Sequence, residues 1–214
     1  MRTISLMLFS FLFATITIAQ DGSKQLLKDV SEKVKSYENV QIEFKYNLNN
    51  AKENVSQETR GNVSLSGDKY ALEMLGIKRI FDGKKIYTIV PEDEEVTISN
   101  FDPNMDTEIT PSQMLTFYEE GYTSKMDIVQ DVKGRKIQYV ELRPIDNQTE
   151  IKKILLGIDV QTKHIYKLIQ VDNNDTKYTV TVQSFKSNQP IPQSLFQFDS
   201  NKYESEGYYI NSLD

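Results

Sequence analysis

Residues 79–91 read Arg-Ile-Phe-Asp-Gly-Lys-Lys-Ile-Tyr-Thr-Ile-Val-Pro. An Asp-Gly pair between two β-branched and aromatic runs predicts a tight antiparallel hairpin. Asp82 and Gly83 are then the central residues of a type I′ turn, both at positive φ. Pro91 ends the second strand, because it has no N–H to give to a ladder. The same grammar repeats on either side. Residues 40–48 alternate without a break: Ile42, Phe44, Tyr46 and Leu48 fall on one side, Gln41, Glu43, Lys45 and Asn47 on the other. That pattern marks a strand with one buried face.

The rest of the chain follows suit. A polar loop at 49–56 leads to a strand at 58–66, where Val63 and Leu65 share a face. Gly67-Asp68 turns it into 69–75, with Tyr70, Leu72 and Met74 on one face. An acidic turn at 91–95 precedes a strand at 96–100. Further strands are expected at 125–132, 135–143, 150–160, 164–172 and 176–187, with Lys133-Gly134 and Asp172-Asn173-Asn174-Asp175 as turns. The tail pieces 194–199 and 207–210 read as short edge strands. The expectation is a mainly β protein with some α, built on one large antiparallel sheet of about ten to eleven strands. Sheets that large curl.

Two helices interrupt this pattern. Leu26, Leu27, Val30, Val34 and Tyr37 recur at helical spacing over 23–37, with Ser23 as cap and Asn39 as a left-handed stop. A second helix is predicted over 110–121: Thr110 caps, Pro111 fills the first turn, Gln113 completes a capping box and Gly121 stops it. Its apolar residues Met114, Leu115, Phe117 and Tyr118 need a surface to dock on, because so short a helix is marginal alone.

Residues 1–19 read as a secretory leader. Arg2 supplies the positive start, residues 4–18 are largely apolar, and Thr17-Ile18-Ala19 offers a cleavage site before Gln20. A spanning helix wants about 20 apolar residues, and no stop signal follows, so a membrane anchor is the weaker reading. Residues 20–214 are then a single exported domain. The chain has no cysteine, so neither disulfides nor a lipid anchor at the cleavage site is expected. Its net charge of −6 becomes one unit more negative without Arg2. That balance argues against nucleic acid and against an anionic lipid surface as partners.

Catalytic constellations are missing. The single histidine, His164, stands in a strand with no triad or metal cluster near it in sequence. No nucleophile elbow, phosphate loop or dinucleotide fingerprint occurs. The Asp172–Asp175 run lacks the spacing of a calcium loop. The chain therefore reads as non-enzymatic and free of cofactors and metals. What it has in excess is apolar strand surface with only two helices to cover it. Either a hydrophobic cavity results, or side chains fill the space as in small barrels.

Taken in order, several motifs carry a family resemblance: Val34-x-x-Tyr37, Ile42-x-Phe44, Gly61-x-Val63-x-Leu65, Asp82-Gly83-Lys84-x-Ile86-Tyr87-x-x-x-Pro91, Thr110-Pro111 with an apolar helix, and Leu195-Phe196-x-Phe198. The mature chain resembles the LolA family, the periplasmic carriers of outer-membrane lipoproteins. The resemblance implies an open, half-closed antiparallel β-barrel with a helical lid, acting in the periplasm as a monomer. Its cavity would hold acyl chains, an inner-membrane ABC transporter would load it, and an outer-membrane acceptor would unload it.

On this reading the cavity wall comprises Val34 of the first helix; Phe44, Tyr46, Leu65, Leu72 and Met74 of the early strands; Tyr87 and Ile89 of the central hairpin; and Tyr139, Leu156, Ile158, Leu168, Val180 and Val182 of the later strands. Met114, Leu115, Phe117 and Tyr118 form the lid. Gly67 stands where the family often has an arginine that latches the lid. The alternative is a periplasmic sensor or regulatory module for lipid or protein signals, or a carrier of another amphiphile, on the same fold.

Overall fold

The computed structural model describes residues 16–101, 111 and 113–213. A helix, α1 (Ile16–Lys35), is followed by β1 (Asn39–Asn50), β2 (Val55–Ser66), β3 (Lys69–Met74), β4 (Ile77–Phe81), β5 (Lys85–Val90) and β6 (Glu95–Asn100). Two 3₁₀ turns come next, then β7 (Tyr122–Val132), β8 (Arg135–Pro144), β9 (Ile151–Asp159), β10 (Ile165–Asp172) and β11 (Lys177–Ser187). The tail adds a 3₁₀ turn, a short helix α2 (Ser200–Ser205) and β12 (Tyr209–Leu213).

All twelve strands form one open sheet in the order β12-β6-β5-β4-β3-β2-β1-β11-β10-β9-β8-β7. Every neighbouring pair is antiparallel except the terminal β12–β6 pair. The turns fall on two rims. One rim holds the α1–β1 connection and turns 67–68, 82–84, 133–134 and 160–164; the other holds 51–54, 75–76, 91–94, 145–150 and 173–176.

Register assigns the faces. On the inner face, Val40 pairs with Leu65, Leu65 with Tyr70, Tyr70 with Phe81 and Phe81 with Ile86. A second inner row runs Tyr46, Val180, Leu168, Leu156, Val140, Met126 across six strands. Two cores form there. One gathers Val140, Leu142, Ile154, Leu156 and Ile158 beneath Leu26, Leu27 and Val30 of α1. The other holds Val40, Ile42, Phe44, Val63, Leu65, Tyr70, Phe81 and Ile86.

The outer face carries a third core. Ile80, Ile89 and Val96 are covered by the tail through Tyr203, Phe198 and Tyr208. Tyr87 stacks on Phe198 at 4.7 Å and Phe198 on Tyr203 at 5.3 Å. The residues expected as edge strand 194–199 instead form the 3₁₀ turn Gln193–Phe196, with Phe196 fully buried, and the Asp199 cap of α2. Aromatic side chains drive this: they gain more by covering the sheet than by lengthening it.

Several expected boundaries shift for local reasons. Twelve strands form among the described residues, because the tail piece expected at 207–210 becomes a full edge strand, β12; β3 and β4 are parted by a Leu75-Gly76 turn in which both residues have positive φ. Ser23 does not cap α1. The helix runs through it, and its hydroxyl lies buried 2.9 Å from that of Ser124 on β7. Asn39 is no left-handed stop; it opens β1, and its Oδ1 accepts from the Gln189 N–H. The loop after β1 spans only 51–54.

The central hairpin turns one residue later than predicted, on Gly83-Lys84. Only Gly83 has positive φ, the pattern of a type II′ turn. Asp82 stays extended because its carboxylate accepts from the N–H groups of Lys84 and Lys85 and from the Tyr87 hydroxyl, all at 2.8–2.9 Å. Burial and the Asp82 charge push the Tyr87 hydroxyl up to about 12.

Glu141 is buried on the outer side of β8, where Arg143 Nε donates at 2.8 Å and Lys153 Nζ at 3.1 Å. Burial opposes its ionisation, but those hydrogen bonds and charges win and hold it at about 2. A depressed carboxyl stabilises the fold above its unfolded value, and that contribution is lost as pH falls toward the folded one. Urea midpoints should therefore drop between about pH 5 and about pH 2. Glu141→Gln should flatten that acid limb; an unchanged limb would remove Glu141 from the account.

Candidate functional site

The crossing connection between β6 and β7 defines the site. These strands follow one another in sequence, yet they lie near opposite ends of the sheet. Of that connection, Phe101 and residues 113–121 lie on the inner face. They pack on both inner cores: Phe101 and Leu115 join the β1–β5 core, while Phe117 and Tyr118 join the core beneath α1. This strap is not the α-helix expected over 110–121. It forms two 3₁₀ turns, Gln113–Leu115 and Phe117–Glu119, with Thr116 between them. Such single turns let the chain change direction and reach two cores. Met114 sits in the first turn, Thr110 lies outside the described residues, and Gly121 has the positive φ of a stop.

Glu119 ties the strap to α1. Its Oε1 accepts from the Ser31 hydroxyl and from Lys35 Nζ at 2.6 Å. The Lys35 hydrogen bond, then that of Ser31, holds the Glu119 carboxyl below its ordinary range. Gly67 takes no part; it sits at positive φ in the exposed β2–β3 turn.

Tyr118 is 4 % exposed, and its hydroxyl makes no hydrogen bond among the described residues, although Ser31 lies beside it. Burial pushes that phenol well above its usual value. An unsatisfied buried hydroxyl costs about 1–3 kcal/mol. Tyr118→Phe should therefore be neutral or stabilising by up to about 1 kcal/mol in urea unfolding. A loss of stability would mean the hydroxyl has a partner.

A second tie joins the end of α1 to the sheet. Tyr37 Oη lies 2.7 Å from Nε2 of His164, whose ring stacks on Phe185 at 3.9 Å. Burial and the nearby Lys33 charge push His164 below the usual imidazole range, against the pull of Asp159.

Between the two cores the inner face is left half-covered. Tyr46 on β1, Val180 and Val182 on β11 and Leu168 on β10 are all partly exposed, as are Leu72 and Met74 on β3. Of the other wall residues inferred from the sequence, Phe44, Leu65, Leu156 and Ile158 are buried inner-face core. Val34 is half-buried on α1. Three lie on the other face. Tyr87 and Ile89 belong to the outer core under the tail. Tyr139 packs over Gly157, where an added Cβ would come within 2.9 Å of its ring. Sequence parity cannot choose between two buried faces, and in β5 and β8 both faces are buried.

A concavity of about 850 Å³ opens on the polar outer face. It is lined by the registered neighbours Glu43, Asn62, Glu73 and Lys78 and by Gln41 with Lys186. The inner stretch is a row of half-buried apolar side chains between α1, the described part of the strap and the sheet. Among the described residues no group of three His, Cys, Asp or Glu is placed to hold a metal. No described helix is long and apolar enough to cross a membrane.

Comparison with known proteins agrees with this architecture. A family profile described as outer membrane lipoprotein carrier protein LolA matches residues 35–199. No curated protein sequence matches the chain. Among solved structures, an uncharacterized conserved protein from Thermus thermophilus superposes with a TM-score of 0.58 at 9% identity, covering 87% of this chain and 98% of that one. LprF from Mycobacterium bovis gives 0.50 at 13% identity, covering 80% and 96%. An outer membrane lipoprotein-sorting protein domain from Vibrio parahaemolyticus gives 0.45 at 10%, covering 88% and 98%.

Proposed function

We propose, from the premise that this chain belongs to the LolA family of outer membrane lipoprotein carriers, that it carries acylated lipoproteins through the periplasm. The observation that supports this reading is the half-exposed apolar row Tyr46, Val180, Leu168, left open between two packed cores. Acyl chains laid along that row would complete the cover that α1 and the strap begin. Each buried methylene contributes about 0.8 kcal/mol, so partial cover keeps binding reversible. An inner-membrane ABC transporter is the donor and an outer-membrane protein the acceptor. Residues 1–19 are the leader, removed before or near Gln20, and the mature protein is a monomer. No covalent step is involved.

Mass spectrometry of lipid co-purifying with the exported protein tests the cargo. Isothermal titration with a fluorescent acyl probe should show one site and a negative heat-capacity change, the mark of apolar burial. Protein that binds neither lipoprotein nor any acyl probe would overturn the proposal.

A further inference from the structure

The two rims differ sharply in charge. The rim holding turns 82–84 and 133–134 presents Lys84, Lys85, Lys133, Arg135 and Lys136, all exposed, with Lys163 beside them on turn 160–164. Glu38 and Asp68 are exposed acids on this rim, Arg135 lies 3.7 Å from Asp159 and Lys163 lies 3.4 Å from Asp29, but its other acids accept from backbone donors. Asp82 accepts from the Lys84 and Lys85 N–H groups, Asp131 from Gly134, and buried Asp159 from Gln161 and Thr162. Lys133 and Lys136 make no ion pair among the described residues. The opposite rim carries Glu92, Asp93, Glu94, Glu95, Asp146 and Glu150. The overall charge of −6 therefore hides a molecule that is basic at one end and acidic at the other.

We infer that the basic rim is a docking surface for anionic lipid headgroups, so that the protein stands on a membrane with its acidic rim outward. Protein interfaces centre on aromatic and aliphatic anchors and are poor in lysine. This rim has the reverse character: lysines on separate turn tips, with Val160 and the β12 end residue Leu213 as its exposed large hydrophobic residues among those described. Lysine clusters of this kind are drawn to anionic leaflets within a Debye length. The acidic rim is repelled by the same surface, which fixes the orientation. The inference does not depend on what the inner row binds.

The test is co-flotation of the full chain with vesicles of phosphatidylcholine alone or mixed with phosphatidylglycerol. Every protein compared carries the same N-terminal segment, so its apolar run contributes equally. Wild type should partition onto the anionic vesicles at least about tenfold better, and the preference should collapse in high salt. Replacing Lys84, Lys85, Lys133 and Lys136 with glutamate should abolish the preference; the quadruple alanine variant serves if the first fails to fold. Reversing Glu92, Asp93 and Glu94 to lysine should leave binding intact or raise it. Equal binding to both vesicle types, or full binding by the folded rim variant, overturns the inference. So does salt-sensitive binding to an acidic envelope protein without any vesicle preference, which would make the rim a protein-docking surface.

Discussion

Gly61→Val is expected to unfold the sheet from its middle. Gly61 lies on β2, between β1 and β3, paired with Phe44 on one side and Met74 on the other. A Cβ added there would fall 2.5 Å from Cζ of Phe44 and 2.8 Å from the backbone oxygen of Glu73. The ring could swing away, but only into the β1–β5 core that it fills. The carbonyl cannot move without breaking the β2–β3 ladder. Ordinary overpacking costs about 1–3 kcal/mol, and this site combines two clashes on opposed partners, so the loss should reach or exceed the top of that range. Urea unfolding reads it as a fall in midpoint. Phe44→Leu should partly rescue Gly61→Ala, because it relieves the ring clash and leaves the carbonyl. A loss below about 1 kcal/mol for valine would show that β2 can shift.

Val182→Asp should sharply weaken acyl binding while leaving a folded protein. Val182 is half-buried on β11, opposite Phe44 and next to the open row. Without cargo a carboxylate there keeps access to water. Beneath hydrocarbon it has no partner, and an unpaired charge under an apolar cover is strongly disfavoured. A loss of about a hundredfold in probe affinity, or about 2.7 kcal/mol, is expected. Thr181→Asp, the same charge one residue earlier and so on the outer face, is the control and should bind normally. Equal effects of the two changes would mean that charge on β11 matters, not the inner row. Normal binding by Val182→Asp would move the cargo elsewhere.

The strands were legible where one face is wet. Residues 40–48 alternate because only their inner side is covered, and Lys133-Gly134 turns as read, both residues at positive φ. Reading failed where both faces are dry. Tyr87, Ile89 and Tyr139 look like cavity wall because they are apolar strand positions. Nothing local says that residues 188–208 fold back over the outer face of β4–β6. Phe196, Phe198, Tyr203 and Tyr208 were the available signal, since four aromatics in so polar a tail need a surface. The strap was misjudged for a related reason. Its end signals describe a helix, but the connection must touch cores on both halves of the sheet, and contacts at that distance override local propensity.

The sheet is joined at its centre by β1 and β11, the first strand paired to the eleventh, with Val40 opposite Ser187. That seam has a consequence for biosynthesis. A chain delivered from its N-terminus can build β1–β6 early, hairpin by hairpin, but one side of β1 stays unpaired until almost the whole sequence has arrived. Loop closure over such a span makes completion slow, and an unpaired strand edge invites pairing with other chains. The nascent protein is therefore held open by its own topology, compatible with threading through a narrow channel. It is also most exposed to aggregation just before the last strands appear, and holding factors that shield a strand edge would matter most in that interval.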